Sequence, residues 1–115
     1  MHVVLTSLLT ALMAGAPPST ARFTLTGEVI DVQCLDRAAD NHGTSHADCA
    51  LSCARRGAVL GLRTSDGVYT ITGPFTLDRN KKLIEFVAMT VKATGVVSQK
   101  DGRRLINVSA IVLDR

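Results

Sequence analysis

The sequence contains very few aromatic residues, and this scarcity argues against one class of function. Among 115 residues there are no Trp, one Tyr and three Phe. Proteins that bind single-stranded nucleic acid commonly stack bases on aromatic side chains in a basic groove. Here the core needs several of the aromatic residues, and the basic residues form no cluster beyond the pairs Arg55-Arg56, Lys81-Lys82 and Arg103-Arg104. The sequence therefore argues against nucleic acid as a partner.

The usual sequence signatures of catalysis are also missing. The chain has no phosphate-binding loop, no nucleophile elbow, no paired catalytic carboxylates and no Cys-x2-Cys-His pattern for covalent haem. The net charge of +3 is a mild excess, which indicates ordinary solubility rather than a strongly charged partner. These absences favour a binding module over an enzyme, with an unidentified protein or small ligand as its partner.

Charged residues are absent from the first 21 positions. The uncharged run from Val3 to Ala16 is too short to span a bilayer, which needs about 20 apolar residues, but it has the length of a signal-peptide apolar region. Pro17-Pro18 then breaks any helix, and Ser19-Thr20-Ala21 offers the small residues that a signal peptidase requires. Because only His2 stands where a signal peptide is normally basic, a buried N-terminal helix of a cytosolic protein is the alternative.

We predict that residues 1–21 are a cleaved signal peptide and that residues 22–115 form one domain. Such a protein would be periplasmic or secreted, and after cleavage it would hold no membrane span. A domain of this size buries only a small core, so a disulfide or a metal ion would help to stabilise it.

Alternation of apolar and polar residues predicts five strands, over 23–32, 58–63, 68–72, 89–97 and 104–113. The connections 64–67 and 98–102 predict hairpin turns, the first through its Asp-Gly pair. A helix is predicted from His46 to about Arg56, with Thr44 or Ser45 as its cap and Gly57 as its stop. Residues 36–45 before it are predicted to form a polar loop, and a second, short helix is predicted over 77–87.

This order of elements predicts a mainly β fold. It resembles a small five-stranded OB-like Greek-key barrel with a helix-containing insertion between strands 1 and 2 and a short helix before strand 4. Gly27 and Gly95 each interrupt a long strand, and a glycine there lets the strand coil and serve two sides of a barrel. An SH3-like barrel or an irregular β-sandwich is the alternative. In OB-folds the connection between strands 1 and 2 is one of the two that usually meet ligands.

Four residues of this insertion carry the candidate chemistry: Cys34, His46, Cys49 and Cys53. On a helix, Cys49 lies about 60° and Cys53 about 20° from His46, so that the three share one stripe. Cys34 is expected to end strand 1, at the mouth of the loop that leads to this helix. Four nearby aspartates either accept hydrogen bonds that orient His46 or are solvated loop charges: Asp31, Asp36, Asp40 and Asp48.

Three interpretations of these residues remain open. A disulfide from Cys34 to Cys49 or to Cys53 would suit an exported protein, although three cysteines leave one unpaired. A metal site of Cys34, His46, Cys49 and Cys53 would use all four groups, and this donor set suits zinc or copper(I). A redox thiol paired with His46 is the third interpretation, but its spacing is Cys-x3-Cys rather than Cys-x2-Cys.

The same residues carry a resemblance. The run Gly27-Glu28-Val29-Ile30-Asp31, then Cys34, then His46-x2-Cys49-Ala50-x2-Cys53 resembles a group of small exported bacterial OB-fold-like proteins of unassigned function. The resemblance covers most of 25–112. It implies export, a barrel, and that the Cys and His residues belong together, but it implies no activity. We therefore expect an exported binding module, centred on this insertion, that holds a metal ion. A disulfide-stapled interaction domain of the cell envelope and a thiol redox protein are the alternatives.

Overall fold

The computed structural model describes residues 22–115, so the predicted signal peptide over 1–21 lies outside the described residues. Alternating residues form five strands: β1 (Arg22–Asp31), β2 (Leu60–Thr64), β3 (Gly67–Thr72), β4 (Thr90–Lys100) and β5 (Arg103–Leu113). Three helical segments are α1 (Val32–Arg37), α2 (Ala47–Arg55) and α3 (Leu77–Asn80). Short 3-10 turns cover Thr44–His46, Pro74–Thr76 and Ile84–Phe86. The prediction of a mainly β, five-stranded domain with a few helices is confirmed.

The five strands form one mixed sheet. β1 pairs antiparallel with β2 and with β4, β2 pairs antiparallel with β3, and β4 pairs antiparallel with β5. β3 and β5 run parallel. The order of neighbours is therefore β1-β2-β3-β5-β4, and it returns to β1. Each strand has two hydrogen-bonded neighbours, which leaves no strand of this sheet with an open edge over its whole length.

Two glycines let long strands pass from one neighbour to the next. β1 pairs with β4 up to Glu28 and with β2 from Glu28 onward, and a Cβ at Gly27 would lie 2.5 Å from the carbonyl oxygen of Arg63. In β4 the register against β5 shifts between Thr94 and Gly95, where a Cβ would meet the Asn107 carbonyl. At both positions the neighbouring backbone comes so close that a side chain would not fit, which is the reason glycine is required there.

The core lies on the face of the sheet that α2 and the 3-10 segments cover. Ala50 and Ala54 of α2 are buried in it, and so is Leu83 from the segment before β4. The largest fully buried side chains are Ile30, Leu60, Leu62, Leu83, Ile106, Val29, Val91 and Val108. Small alanines on one face of α2 allow the helix to approach the sheet closely, which positions its remaining faces, and the cysteines on them, near the end of β1. None of the helices within residues 22–115 is long and apolar enough to cross a membrane.

Some predicted boundaries differ from the structure. Residues 36–37 belong to α1 rather than to a loop, and β2 begins at Leu60 rather than at residue 58. β4 and β5 continue to Lys100 and Arg103, so that the turn shrinks to Asp101-Gly102, both with positive φ. Two positive φ angles match the right-handed twist of the flanking strands and make the tighter turn favourable.

The predicted helix over 77–87 is wrong as a continuous element. Asp78, Arg79 and Asn80 have positive φ, which no right-handed helix allows, and a separate 3-10 turn covers Ile84–Phe86. The buried Asn80 amide explains the break, because its Nδ2 donates to the Ala54 carbonyl at 3.0 Å and to the Ala58 carbonyl at 2.8 Å. A buried amide that satisfies the end of α2 outweighs continuation of a short local helix.

Candidate metal centre

Asp31 turns the chain from β1 into α1. It is only 2% exposed, and its Oδ1 accepts hydrogen bonds from the Gln33 amide at 2.9 Å and from the Cys34 amide at 3.2 Å. A side-chain oxygen that accepts from the first free amides of a helix is an N-cap. This cap places Cys34 inside the first turn of α1, 8% exposed, so the prediction that Cys34 ends strand 1 is wrong.

The loop between α1 and α2 is tied back to β1 and α1. The Gly43 amide donates to Oε2 of Glu28 at 2.6 Å, and Nδ1 of His42 lies 3.8 Å from Oε1 of the same carboxylate. Asn41 Nδ2 donates to the Cys34 carbonyl at 2.9 Å. These contacts return the chain toward Cys34 before α2 begins, so that His46 arrives beside the cysteine.

The start of α2 differs from the prediction, whereas its end agrees with it. Its N-cap is His46, without a side-chain hydrogen bond, so the predicted caps Thr44 and Ser45 are wrong and lie instead in a 3-10 turn. Its predicted stop is confirmed. Gly57 has φ +88°, its amide donates to the Ala54 carbonyl at 2.9 Å, and the Ala58 amide donates to the Cys53 carbonyl at 3.1 Å. Only glycine adopts this left-handed end without strain.

Three of the four predicted ligands meet in one place. Donor atoms of Cys34, His46 and Cys49, one from each side chain, all lie within 4.8 Å of one another. In a tetrahedral zinc site the donor atoms are separated by roughly 3.5–3.8 Å, as bond lengths of about 2.0–2.3 Å require. The separations within this trio therefore exceed coordination distance by no more than about 1.3 Å.

The imidazole of His46 is not satisfied by the protein. Its Nε2 is buried and has no hydrogen-bond partner, and no hydrogen bond within residues 22–115 joins an aspartate to this ring. The expectation that a neighbouring aspartate orients His46 finds no support. Asp31 binds the start of α1, and Asp36 accepts from Arg103 at 3.1 Å. A buried nitrogen without a partner costs about 1–3 kcal/mol, and a bound cation removes that cost.

Cys53 belongs to a different group. Its sulfur lies with Cys34 and a carboxylate oxygen of Asp31 in a second trio within 4.8 Å, but not in the trio with His46. Four residues along α2 separate Cys49 from Cys53, which is about 6 Å of helix rise. Cys34 lies beside both and is common to the two groups. Spacing on one helix stripe could not show this separation, because His46 sits at the helix cap, outside regular helical geometry.

Cys34 is held as a neutral thiol in the metal-free protein. Burial, followed by the hydrogen bond and the charge of Asp31 and by the neighbouring thiols of Cys53 and Cys49, raises the pKa of Cys34 from 9.0 to about 11. A bound cation reverses this preference, because it favours the thiolate and releases the proton. Metal binding at this site is therefore expected to compete with protons.

The alternative of a disulfide from Cys34 to Cys49 or to Cys53 is not present in this structure. Cys34, Cys49 and Cys53 are all free, although the sulfur of Cys34 lies within 4.8 Å of each of the other two. Cys49 is exposed and Cys53 is half-buried. Arg56 adds a contact that the sequence did not predict: its Nη2 lies 3.3 Å from the Cys53 sulfur and donates to it.

Sequence reasoning missed the part that Asp31 takes in this site. It is the only aspartate among the four candidates that joins a group of possible ligands in the described residues. The sequence did contain a signal for the helix that Asp31 caps, because Asp followed by an apolar residue at a strand end is a common helix start. Comparison of the chain with protein-family models, with curated proteins and with solved structures found no match.

Proposed function

We propose that this chain is a small exported binding module that holds one zinc or copper(I) ion through Cys34, His46 and Cys49. We also propose that the domain that contains this site is an OB-like Greek-key barrel. Five strands in the order β1-β2-β3-β5-β4, with helical segments between β3 and β4, support that description. The site then lies in the connection between strands 1 and 2, a usual position for ligands in OB-folds.

One observation carries the metal assignment. Nε2 of His46 is buried without a hydrogen-bond partner, while the imidazole lies within 4.8 Å of two cysteine sulfurs. Buried polar groups are normally hydrogen-bonded, and an exception calls for an explanation such as an ion. A cation bound by Cys34, His46 and Cys49 gives the imidazole its partner and neutralises the thiolates at once.

The donor set limits the kind of ion. Thiolate and imidazole donors select zinc or copper(I), whereas calcium and magnesium require oxygen ligands. Three protein donors are the number that zinc sites with an open position use, the fourth position being left for water or a ligand.

A redox role for Cys34 is less favoured by the same geometry. Nucleophilic cysteines need a lowered pKa, and burial beside Asp31 raises the pKa of Cys34 instead. A structural disulfide remains the second candidate, favoured by the proximity of Cys34 to both other cysteines. The two candidates differ in mass, which makes them separable in a single experiment.

The test is native and denaturing mass spectrometry of the full chain, purified under reducing, oxygen-free conditions and titrated with Zn²⁺ or with Cu(I). At low metal ratios we expect one bound ion and three intact thiols. His46→Ala and Cys49→Ser should weaken binding by more than about 100-fold, because even outer hydrogen-bond partners of metal ligands are worth about 10–100-fold. Export should show as a chain that begins at Arg22 when secreted protein is analysed.

The matched control is His42→Ala. His42 lies in the same loop as His46 but contacts Glu28 rather than the sulfurs, so its replacement should leave metal affinity within about threefold. A reduced protein that binds neither ion, together with a loss of two hydrogens in a second preparation purified without reductant, would contradict the metal assignment and support a disulfide.

A further inference from the structure

We infer that the protein has a second metal position, held by Asp31, Cys34 and Cys53, and that the Cys34 thiolate bridges the two ions. This inference rests on the proposed function, because it presumes an ion at Cys34, His46 and Cys49. We name the latter the inner position and the former the outer position.

The two groups of donors share one sulfur. Donor atoms of Asp31, Cys34 and Cys53 lie within 4.8 Å of one another, as do those of Cys34, His46 and Cys49. A thiolate sulfur carries several lone pairs and can bind two soft cations, whereas an imidazole nitrogen can bind only one. Five side chains thus supply three donors to each ion, with Cys34 counted twice. The cysteine that a single disulfide would leave unpaired therefore also has a role, as a metal ligand.

The outer position opens to solvent. Asp31, Cys34 and Cys53 line a cleft of 350 Å³ together with Gln33, Arg37, Arg56, Gly57 and Ala58. His46 and Cys49 are not part of its lining. An ion at the outer position would therefore be reached directly from the cleft. Cys49 of the inner position is itself exposed, so solvent reaches both positions, and it reaches the outer one through this cleft.

The charges and hydrogen bonds around the cleft are compatible with three anionic side chains that coordinate one ion. Asp31 uses one oxygen, Oδ1, to cap α1, which leaves its second oxygen as a donor to a metal. Two thiolates and one carboxylate carry three negative charges around the outer ion. Arg37 and Arg56 lie in the lining, and Arg56 already donates to the Cys53 sulfur at 3.3 Å. Two guanidinium groups offset the negative charge that remains after an ion binds.

The experiment is a full titration of the reduced chain with Zn²⁺ and, separately, with Cu(I), followed by native mass spectrometry. Wild type should saturate at two ions, and Cys53→Ser should saturate at one. Ser52→Ala is the matched control on the neighbouring residue of α2 and should keep two. Cys34→Ser should lose tight binding of both ions, because both positions require its sulfur. Cys53 is varied rather than Asp31, because Asp31 also caps a helix.

A spectroscopic readout separates a bridged pair from two unrelated ions. X-ray absorption of the copper-loaded wild type should show metal–metal scattering, and Cys53→Ser loaded with one ion should not. Saturation at one ion in both wild type and Cys53→Ser would overturn the second position while leaving the proposed function intact. Two ions in Cys53→Ser would also overturn it, by placing the second ion elsewhere. Binding of no ion by wild type would overturn both proposals together.

Discussion

In the sheet, a polar side chain finds its hydrogen-bond partners within the protein, whereas in the segment that joins the first two strands one polar side chain does not. In the hairpin between β2 and β3, Asp66 accepts hydrogen bonds from Thr64 and Tyr69, and Arg104 from β5 lies 3.6 Å from its carboxylate. In the insertion, residues 32–59, Nε2 of His46 is buried without a partner. Groups whose partners come from the protein hold the fold together. The group whose partner is missing marks where a ligand is expected.

The two regions also differ in how they are stabilised. The sheet is held by paired backbones and by the fully buried side chains of β1, β2, β4 and β5. The insertion contributes mostly alanines to the core and depends on individual hydrogen bonds, which the carboxylates of Asp31 and Glu28 accept and the side-chain amides of Asn41 and Asn80 donate. Changes in the sheet are therefore expected to affect global stability, whereas changes in the insertion are expected to affect ligand binding more than folding.

The largest expected effect is on the sheet. Gly95→Ala should lower the free energy of unfolding by about 3 kcal/mol, because its Cβ meets the Asn107 backbone where two strands approach most closely. Gly43→Ala, in the insertion, has no neighbour within 4 Å but a φ of +76°, and should cost about 1–2 kcal/mol. Urea unfolding of both variants measures the difference. Equal losses would remove the distinction between the two regions.

The next effect concerns thiol reactivity in the metal-free insertion. Because the pKa of Cys34 is about 11 rather than 9.0, its thiolate fraction at pH 8 should be about 100-fold below that of an ordinary cysteine. Alkylation of Cys34 should be slowest, that of the exposed Cys49 fastest, and the rate at Cys34 should rise about tenfold per pH unit up to about 11. Substoichiometric iodoacetamide with peptide mass spectrometry gives the order. Cys34 reacting as fast as Cys49 would count against its buried position.

Asp31 lies where the sheet meets the insertion, so its replacement should affect both the stability of the fold and metal binding. Asp31→Ala should cost about 1–2 kcal/mol of stability through the lost helix cap, and should weaken metal binding as well. Asp31→Asn keeps an acceptor of similar capping strength and should restore most of the stability. Asp36→Ala is the control, since its ion pair with Arg103 is exposed and worth under about 1 kcal/mol. A cost at Asp36 equal to that at Asp31 would contradict the assigned cap.

The smallest effect is a pH dependence in the hairpin. Hydrogen bonds from Thr64 and then Tyr69 lower the pKa of Asp66 below its ordinary value of 3.8. A carboxyl with a lowered pKa in the folded state stabilises the protein above its unfolded pKa, and this contribution is lost as the pH falls through the folded value. The Tm of wild type should exceed that of Asp66→Asn at pH 7, and the gap should close near pH 2. Asn followed by Gly suits this turn, so turn geometry should not add to the gap, and a gap that persists in acid would contradict the ionised carboxylate as its cause.

Local patterns predicted much of the architecture. The five strands, the helix that carries Cys49 and Cys53, and the stop at Gly57 follow from alternation, from helical spacing and from the conformational freedom of glycine. The failures share a cause. α1 is too short to show a period, and the break near Asn80 depends on carbonyls of Ala54 and Ala58, more than 20 residues earlier in the chain. Short elements fixed by distant partners leave little local signal.

The sequence by itself determined that Cys34, His46, Cys49 and Cys53 would fall in one insertion, since chain order and helical spacing bring His46 close to Cys49. Only the tertiary structure decided how these residues divide. The Asp31 cap turns α1 so that Cys34 lies between the other two cysteines, and packing of the α2 alanines fixes the distance to the sheet. Sharing of one sulfur between two groups is a long-range arrangement, set by where α1 and α2 each pack against β1, and no spacing along the chain encodes it.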